Sequence, residues 1–179
     1  MKITKNLGLL LALLVVALTG CADSGEQTSE PKISESNISS AKVTDTKTTQ
    51  PVIVYKSPKC GCCSEWVEHL EKAGFHPLVK HPEDLSVIKS QFNIESQYQS
   101  CHTDVHGDFV FEGHIPAKFI QKFLDNPPSG ATGLAVPAMP LGSPGMEMGE
   151  RFTPYTVYQL NDNGQLTIFA EVSRMEDQY

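Results

Sequence analysis

Cys60, Cys62 and Cys63 put three thiols within four residues, and the chemistry of the chain is concentrated there. Cys60 and Cys63 have C-x-x-C spacing, which between a strand and a helix is the signature of a thiol-disulfide oxidoreductase. Cys62 stands inside that pair, where a third thiol competes for either disulfide partner. Two thiolates about 4 Å apart repel by roughly 1 kcal/mol in water and about 4 kcal/mol at an effective dielectric of 20. Clustered sulfurs must therefore be protonated, joined as disulfides or neutralised by cations, and a third thiol suits the last option best.

The remaining soft and borderline donors are Cys101, His102, His106, His114, Met139, Met146 and Met148. Thiolate and thioether together select Cu(I), and imidazole accepts copper in either oxidation state. Zinc would use cysteine and histidine without methionine. Four cysteines could also hold an iron-sulfur cluster, which would leave the methionines unexplained. In an oxidising compartment a structural disulfide is the plain alternative, joining Cys60 or Cys63 to a partner such as Cys101. Adjacent residues of a regular strand face opposite ways, so Cys101 and His102 reach one site only if the chain bends there. Cys101 therefore ranks above His102. His114, just before Pro116, is placed to ligate a metal or to cap a helix. His69, among Glu65, Glu68 and Glu71, reads as solvated.

These donors need elements to hold them. Pro51–Tyr55 is a β-branched run that reads as a strand, and Trp66, Val67, Leu70 and Ala73 form one helix face, so the cysteines fall in a strand-to-helix turn. Unpaired N–H groups at such a helix start favour thiolate. Gly74 ends the helix, Phe75–Lys80 gives a second strand, and a βαβ opening results. Asp84 caps a helix bearing Leu85, Ile88 and Phe92; Asp108–Glu112 is a further strand; and Pro116 opens a helix with Phe119, Ile120, Phe123 and Leu124 on one stripe. From Ser129 to Pro154 the prolines and glycines predict no regular element. Thr156–Leu160 and Gln165–Phe169 flank Asn161–Gly164 as a β-hairpin with Gly164 at positive φ.

The first twenty residues, with Lys2 and Lys5 ahead of the apolar run Leu7–Leu18, read as a signal peptide too short to span a bilayer. Leu18-Thr19-Gly20-Cys21 resembles a bacterial lipobox, which predicts lipidation at Cys21. The expected location is periplasmic, tethered to a membrane, with Ala22 favouring the outer one. Residues 21–50, with eleven Ser or Thr after Cys21 and no aromatic residue, read as a flexible tether. Residues 51–179 suffice for one domain. That domain carries nine Lys or Arg against sixteen Asp or Glu, with no basic stripe, which argues against nucleic acid as a partner.

Four separated blocks also resemble a known family: Tyr55-Lys-Ser-Pro-Lys-Cys-Gly-Cys-Cys63 with Trp66, Ser100-Cys-His-Thr103, Glu112-Gly-His-Ile-Pro116, and Gly133-Leu-Ala-Val-Pro-Ala-Met-Pro-Leu-Gly-Ser-Pro-Gly-Met-Glu147. They are similar to the CopG-type periplasmic copper-resistance proteins, domain of unknown function 411. The resemblance implies an α/β, thioredoxin-like domain with an added Pro/Gly/Met-rich loop and a C-terminal β-hairpin. It further implies several bound copper ions, Cu(I) with access to Cu(II), used in sequestration or copper redox chemistry alongside a copper-transfer or redox protein partner. Carried over, Cys60, Cys62, Cys63, Cys101, His114, Met139 and Met146 are the implied ligands, with Met148 beside them. In thioredoxin-like folds a cis-proline touches the C-x-x-C turn, and here Cys101-His102-Thr103 takes its place, which would bring a fourth sulfur to the cluster. Ala138 departs from the pattern, where glycine is expected before Met139.

Overall fold

The computed structural model describes residues 51–179, so the signal peptide, Cys21 and the tether lie outside the described residues. Seven strands form one mixed sheet in the order β2-β1-β3-β4-β5-β6-β7. They are β1 (Val52–Lys56), β2 (Pro77–Lys80), β3 (His102–His106), β4 (Phe109–Glu112), β5 (Ala131–Ala135), β6 (Tyr155–Asn161) and β7 (Leu166–Val172). Helices α1 (Gly61–Lys72), α2 (Leu85–Gln91) and α3 (Ala117–Asp125) connect them. Among the described residues no helix is long and apolar enough to cross a membrane.

The opening βαβ unit is as the sequence predicts, with β1 and β2 parallel. Its helix starts on Cys60, whose sulfur accepts from the Cys63 N–H at 3.4 Å, and ends before Gly74 at φ 89°. Asp84 caps α2 by accepting from Ser86 N–H at 2.8 Å. The hairpin is β6 and β7, paired antiparallel, with Gly164 at φ 75°.

One strand goes unread in the sequence and two expectations are corrected. His102–His106 is a full strand, antiparallel to both β1 and β4, which its polar composition hides. Ala131–Ala135 is β5, parallel to β4, so the irregular loop begins only at Val136. Buried Gly133, Leu134 and Ala135 supply too short an apolar run to be read as a strand, and tertiary pairing decides. Pro116 is the cap of α3 and not its first residue, and the cap bond comes from elsewhere: Ala117 N–H donates to His69 Nε2 at 3.0 Å. His69, expected to be solvated, thereby ties α1 to α3.

Alternation along the strands gives the sheet two faces. One face packs α1 and α3 around Val54, Trp66, Leu70, Phe111, Ile120, Phe123 and Leu134. The other carries α2 and the turn after it, with Ile94, Val110, Ala135 and Leu160. Burying each large side chain contributes about 1.5–3 kcal/mol. The start of α1, the start of β3, the end of β4 and the loop from Val136 to Pro154 then meet at one end of the sheet.

Candidate metal centre

The sulfur atoms of the turn meet a fourth sulfur as the fold closes. Cys63 Sγ lies 3.3 Å from Cys101 Sγ, and Cys60 Sγ lies 3.5 Å from Cys62 Sγ. Cys60 and Cys63 form a disulfide with Cα atoms 5.4 Å apart, which leaves Cys62 and Cys101 as free thiols. The disulfide therefore closes inside the turn, where C-x-x-C spacing suffices, and does not engage Cys101, the partner expected for a structural bridge.

Two imidazoles complete the arrangement. His114 Nε2 is 3.0 Å from Cys101 Sγ, and His102 Nδ1 is 3.4 Å from the same sulfur. His114 Nδ1 donates to the Pro144 carbonyl at 2.7 Å, which fixes the tautomer and leaves the Nε2 lone pair aimed at the sulfurs. His102, fully buried, packs on Trp66 with ring centroids 4.4 Å apart. Trp66 is itself pinned through its indole N–H to the Ile115 carbonyl at 2.9 Å. The bend that Cys101 and His102 need in order to reach one site is present, since β3 begins at His102 and the chain bends at Cys101.

The donors form two overlapping groups, each with ligand atoms within 4.8 Å of one another: Cys60, Cys62, Cys63, Cys101, and Cys63, Cys101, His102, His114. Cys63 and Cys101 belong to both. Burial dominates the electrostatics. It pushes the Cys101 thiol up to about 12, helped by the neighbouring Cys62. It also holds His102 well below the usual histidine range, reinforced by His114, and lowers His114 against the opposing pull of the Pro144 carbonyl. Both imidazoles are thus neutral at pH 7, with lone pairs free to ligate.

The methionine loop walls the site. Gly145, at φ 80°, packs where a Cβ would meet the Cys62 carbonyl at 2.5 Å and Trp66 N at 2.7 Å. Ala138 N–H donates to Gln99 O at 3.3 Å, and the Ala138 carbonyl accepts from the Ser100 hydroxyl, beside Cys101. Ala138 sits at φ 59°, the left-handed region that explains why glycine is the expected residue there. Met146 is half-buried, next to Gly145. Met139 and Met148 are exposed, and Met148 Sδ lies 3.3 Å from Arg151 Nη2.

Behind Cys101, on the α2 face, lies a buried group that sequence reasoning does not find. Lys89 Nζ pairs with Glu112 and bonds Thr103 Oγ1 at 3.0 Å, and Thr103 donates to Glu112 Oε2 at 2.6 Å. Glu112 Oε1 accepts from Ser100 N–H at 2.5 Å, fixing the backbone that enters Cys101. The available signal is Lys89 at i+4 from Leu85, on the stripe of Leu85, Ile88 and Phe92, where a charge needs a buried partner. On the opposite face Asp104 and His106, with His102 Nε2, are buried without hydrogen-bond partners among the described residues, and His102 Nε2 lies 3.9 Å from Asp104 Oδ1.

The profile of a family described as a protein of unknown function, DUF411, matches residues 98–146. Two solved structures titled copper resistance protein CopG are similar to this chain. Form 1 has a TM-score of 0.65 and 40% identity over 69% of this chain and 97% of that one, and Form 2 has 0.66 and 39% over 69% and 98%. No curated protein matches the chain. The shared fold is the mixed α/β sheet described above, which is compatible with a thioredoxin-like core.

Proposed function

This chain belongs to the family of copper resistance protein CopG, and from that membership we propose that it binds copper for resistance, holding more than one Cu(I) on its cysteine cluster. The observation that carries this reading is the pair of donor groups sharing Cys63 and Cys101. Both groups use cysteines of the Cys60–Cys63 disulfide, so two-electron reduction by an external thiol would have to free those two sulfurs before they ligate. Once reduced, sulfurs common to both groups could serve more than one ion, and several Cu(I) would neutralise clustered sulfur charge more fully than one. His102 and His114 add imidazoles suited to Cu(II), so the site supports exchange between the two oxidation states as well as sequestration.

The chain's own groups prepare the site. The Pro144 carbonyl orients His114, and Trp66 orients His102. An exported, lipid-anchored location through Cys21, with access to a copper-transfer or redox partner, completes the proposal. Labelling with a radioactive fatty acid, lost in Cys21→Ser, tests the anchor.

Anaerobic titration of reduced protein with Cu(I) against a competing chelator is the decisive measurement. More than one tight equivalent, reduced in Cys62→Ser, is the expected result; no tight binding overturns the reading. Faster Cu(II) reduction by an external reductant with loaded protein than with free copper would establish turnover.

The Cys60–Cys63 disulfide favours a second reading, a thiol-disulfide oxidoreductase. Insulin reduction that survives Cys62→Ser and disappears in Cys60→Ser would support it.

A further inference from the structure

The loop segment Pro140–Met146 is a closed unit bonded to itself. Gly142 N–H donates to Met146 O at 2.9 Å, Met146 N–H to Ser143 O at 2.7 Å, and Ser143 Oγ to Pro140 O at 2.7 Å. Gly142, Ser143 and Pro144 are all buried. The unit has two handles. On its inner side the Pro144 carbonyl accepts a hydrogen bond from His114 Nδ1–H. On its outer side the Gly142 carbonyl accepts from Gln178 Nε2 at 2.9 Å.

Gln178 stands next to Tyr179 at the end of the sequence, yet it is 1% exposed. Its Oε1 accepts from Tyr155 Oη at 2.5 Å, and its Nε2 also reaches Met175 O at 3.2 Å. The amide is therefore held at both ends, which fixes its orientation: donor to the loop, acceptor to β6. Beside it, Tyr179 Oη donates to Glu147 Oε1 at 3.1 Å, a second bond to the far end of the same loop.

We propose that Gln178 is a positioning residue for His114, acting through the Gly142–Pro144 unit to set the imidazole tautomer that presents Nε2 to the sulfurs. Without the Gln178 bond, the Gly142 carbonyl is left buried and unpaired, which costs more than a bond is worth in water. The unit shifts to recover a partner, Pro144 O leaves His114, and the ring is free to carry its proton on Nε2. Nitrogen protonated at Nε2 offers no lone pair to a metal on the sulfur side. The inference rests on the copper reading for its purpose, but the tautomer is measurable without metal.

The test uses the full chain, reduced and copper-free, with ¹⁵N-labelled histidine. In the parent, NMR shows His114 as the Nδ1–H tautomer. In Gln178→Ala, and in Gln178→Glu, which keeps an acceptor for Tyr155 and loses the donor to Gly142, it shows a mixture of tautomers. Cu(I) affinity falls about tenfold in each variant. The same substitutions in a His114→Ala background lower it no further. A folded Gln178 variant that keeps the parent tautomer overturns the proposal, as does an equal loss of affinity in the His114→Ala background. Absence of Cu(I) binding in the parent would overturn the copper reading instead, with the tautomer still deciding the role of Gln178.

Discussion

The sulfur of Cys63 rests 3.3 Å from that of Cys101, 38 residues further along the chain, while Cys63 itself is bonded to Cys60. The free thiol is thus held against the disulfide at a distance where only rotation and reduction separate pairing from metal ligation.

Alkylation of the native, unreduced chain followed by mass spectrometry should modify Cys62 and Cys101 and spare Cys60 and Cys63; all four become modified after reduction. Cys101 reacts more slowly than Cys62 at neutral pH because its thiol is pushed up to about 12 and only thiolate reacts.

Gly145→Ala should lower stability by about 1–3 kcal/mol and weaken copper binding, because its Cβ would press on the Cys62 carbonyl and on Trp66 N. Thermal unfolding and Cu(I) titration check the two effects. Gly149→Ala, also at positive φ but with open space around its Cβ, should leave copper binding unchanged.

Stability should fall as pH drops below the ordinary histidine value of about 6.5. Burial lowers His69, His102, His106 and His114. Below that pH the unfolded chain binds protons that the folded chain refuses, so the slope of stability against pH is positive there. Asp104, raised well above the usual carboxylate range by burial and Glu112, opposes this, since it keeps a proton that the unfolded chain has released. Cys101 acts at the alkaline end: between its unfolded value and about 12 the folded chain holds the extra proton, and stability falls as pH rises. Melting temperatures of copper-free protein from about pH 4 to about pH 10 trace the acid limb and the start of the alkaline one.

Lys89→Met should cost about 3–5 kcal/mol, because it leaves Glu112 charged and buried without its partner. The double change Lys89→Met with Glu112→Leu should cost less than the single one. Urea denaturation measures both.

Met148→Leu should leave Cu(I) stoichiometry and affinity unchanged, since Met148 Sδ faces Arg151. A loss comparable to that of Cys62→Ser would make Met148 a ligand after all.

Local patterns made much of this architecture readable. Cys60–Cys63 sits between a β-branched run and an apolar helix stripe, and Asp84, Gly74 and Gly164 mark their turns by backbone chemistry that needs no distant partner. β3 was illegible because its inward residues are His102, Asp104 and His106, which carry no apolar alternation, and β5 because its partner strand selects it. The site followed the same division. The turn cysteines were visible from spacing, whereas the His102 contribution depends on a bend at Cys101, and the roles of Pro144, Glu112 and Trp66 depend on carbonyls and faces that only the assembled sheet brings together.

The thiols of one turn, Cys60, Cys62 and Cys63, are neighbours in the unfolded chain as well as in the folded one. Cys101, His102 and His114 join them only after β3 and β4 have paired beside β1. A soft metal therefore recognises half of its donors while the chain is still unfolded, and binding by that half stabilises the fold less than binding by donors the fold alone assembles. It is chiefly the three later donors that let the metal tell native chain from unfolded, so thermal stabilisation by Cu(I) should shrink when they are removed even where binding to the turn persists.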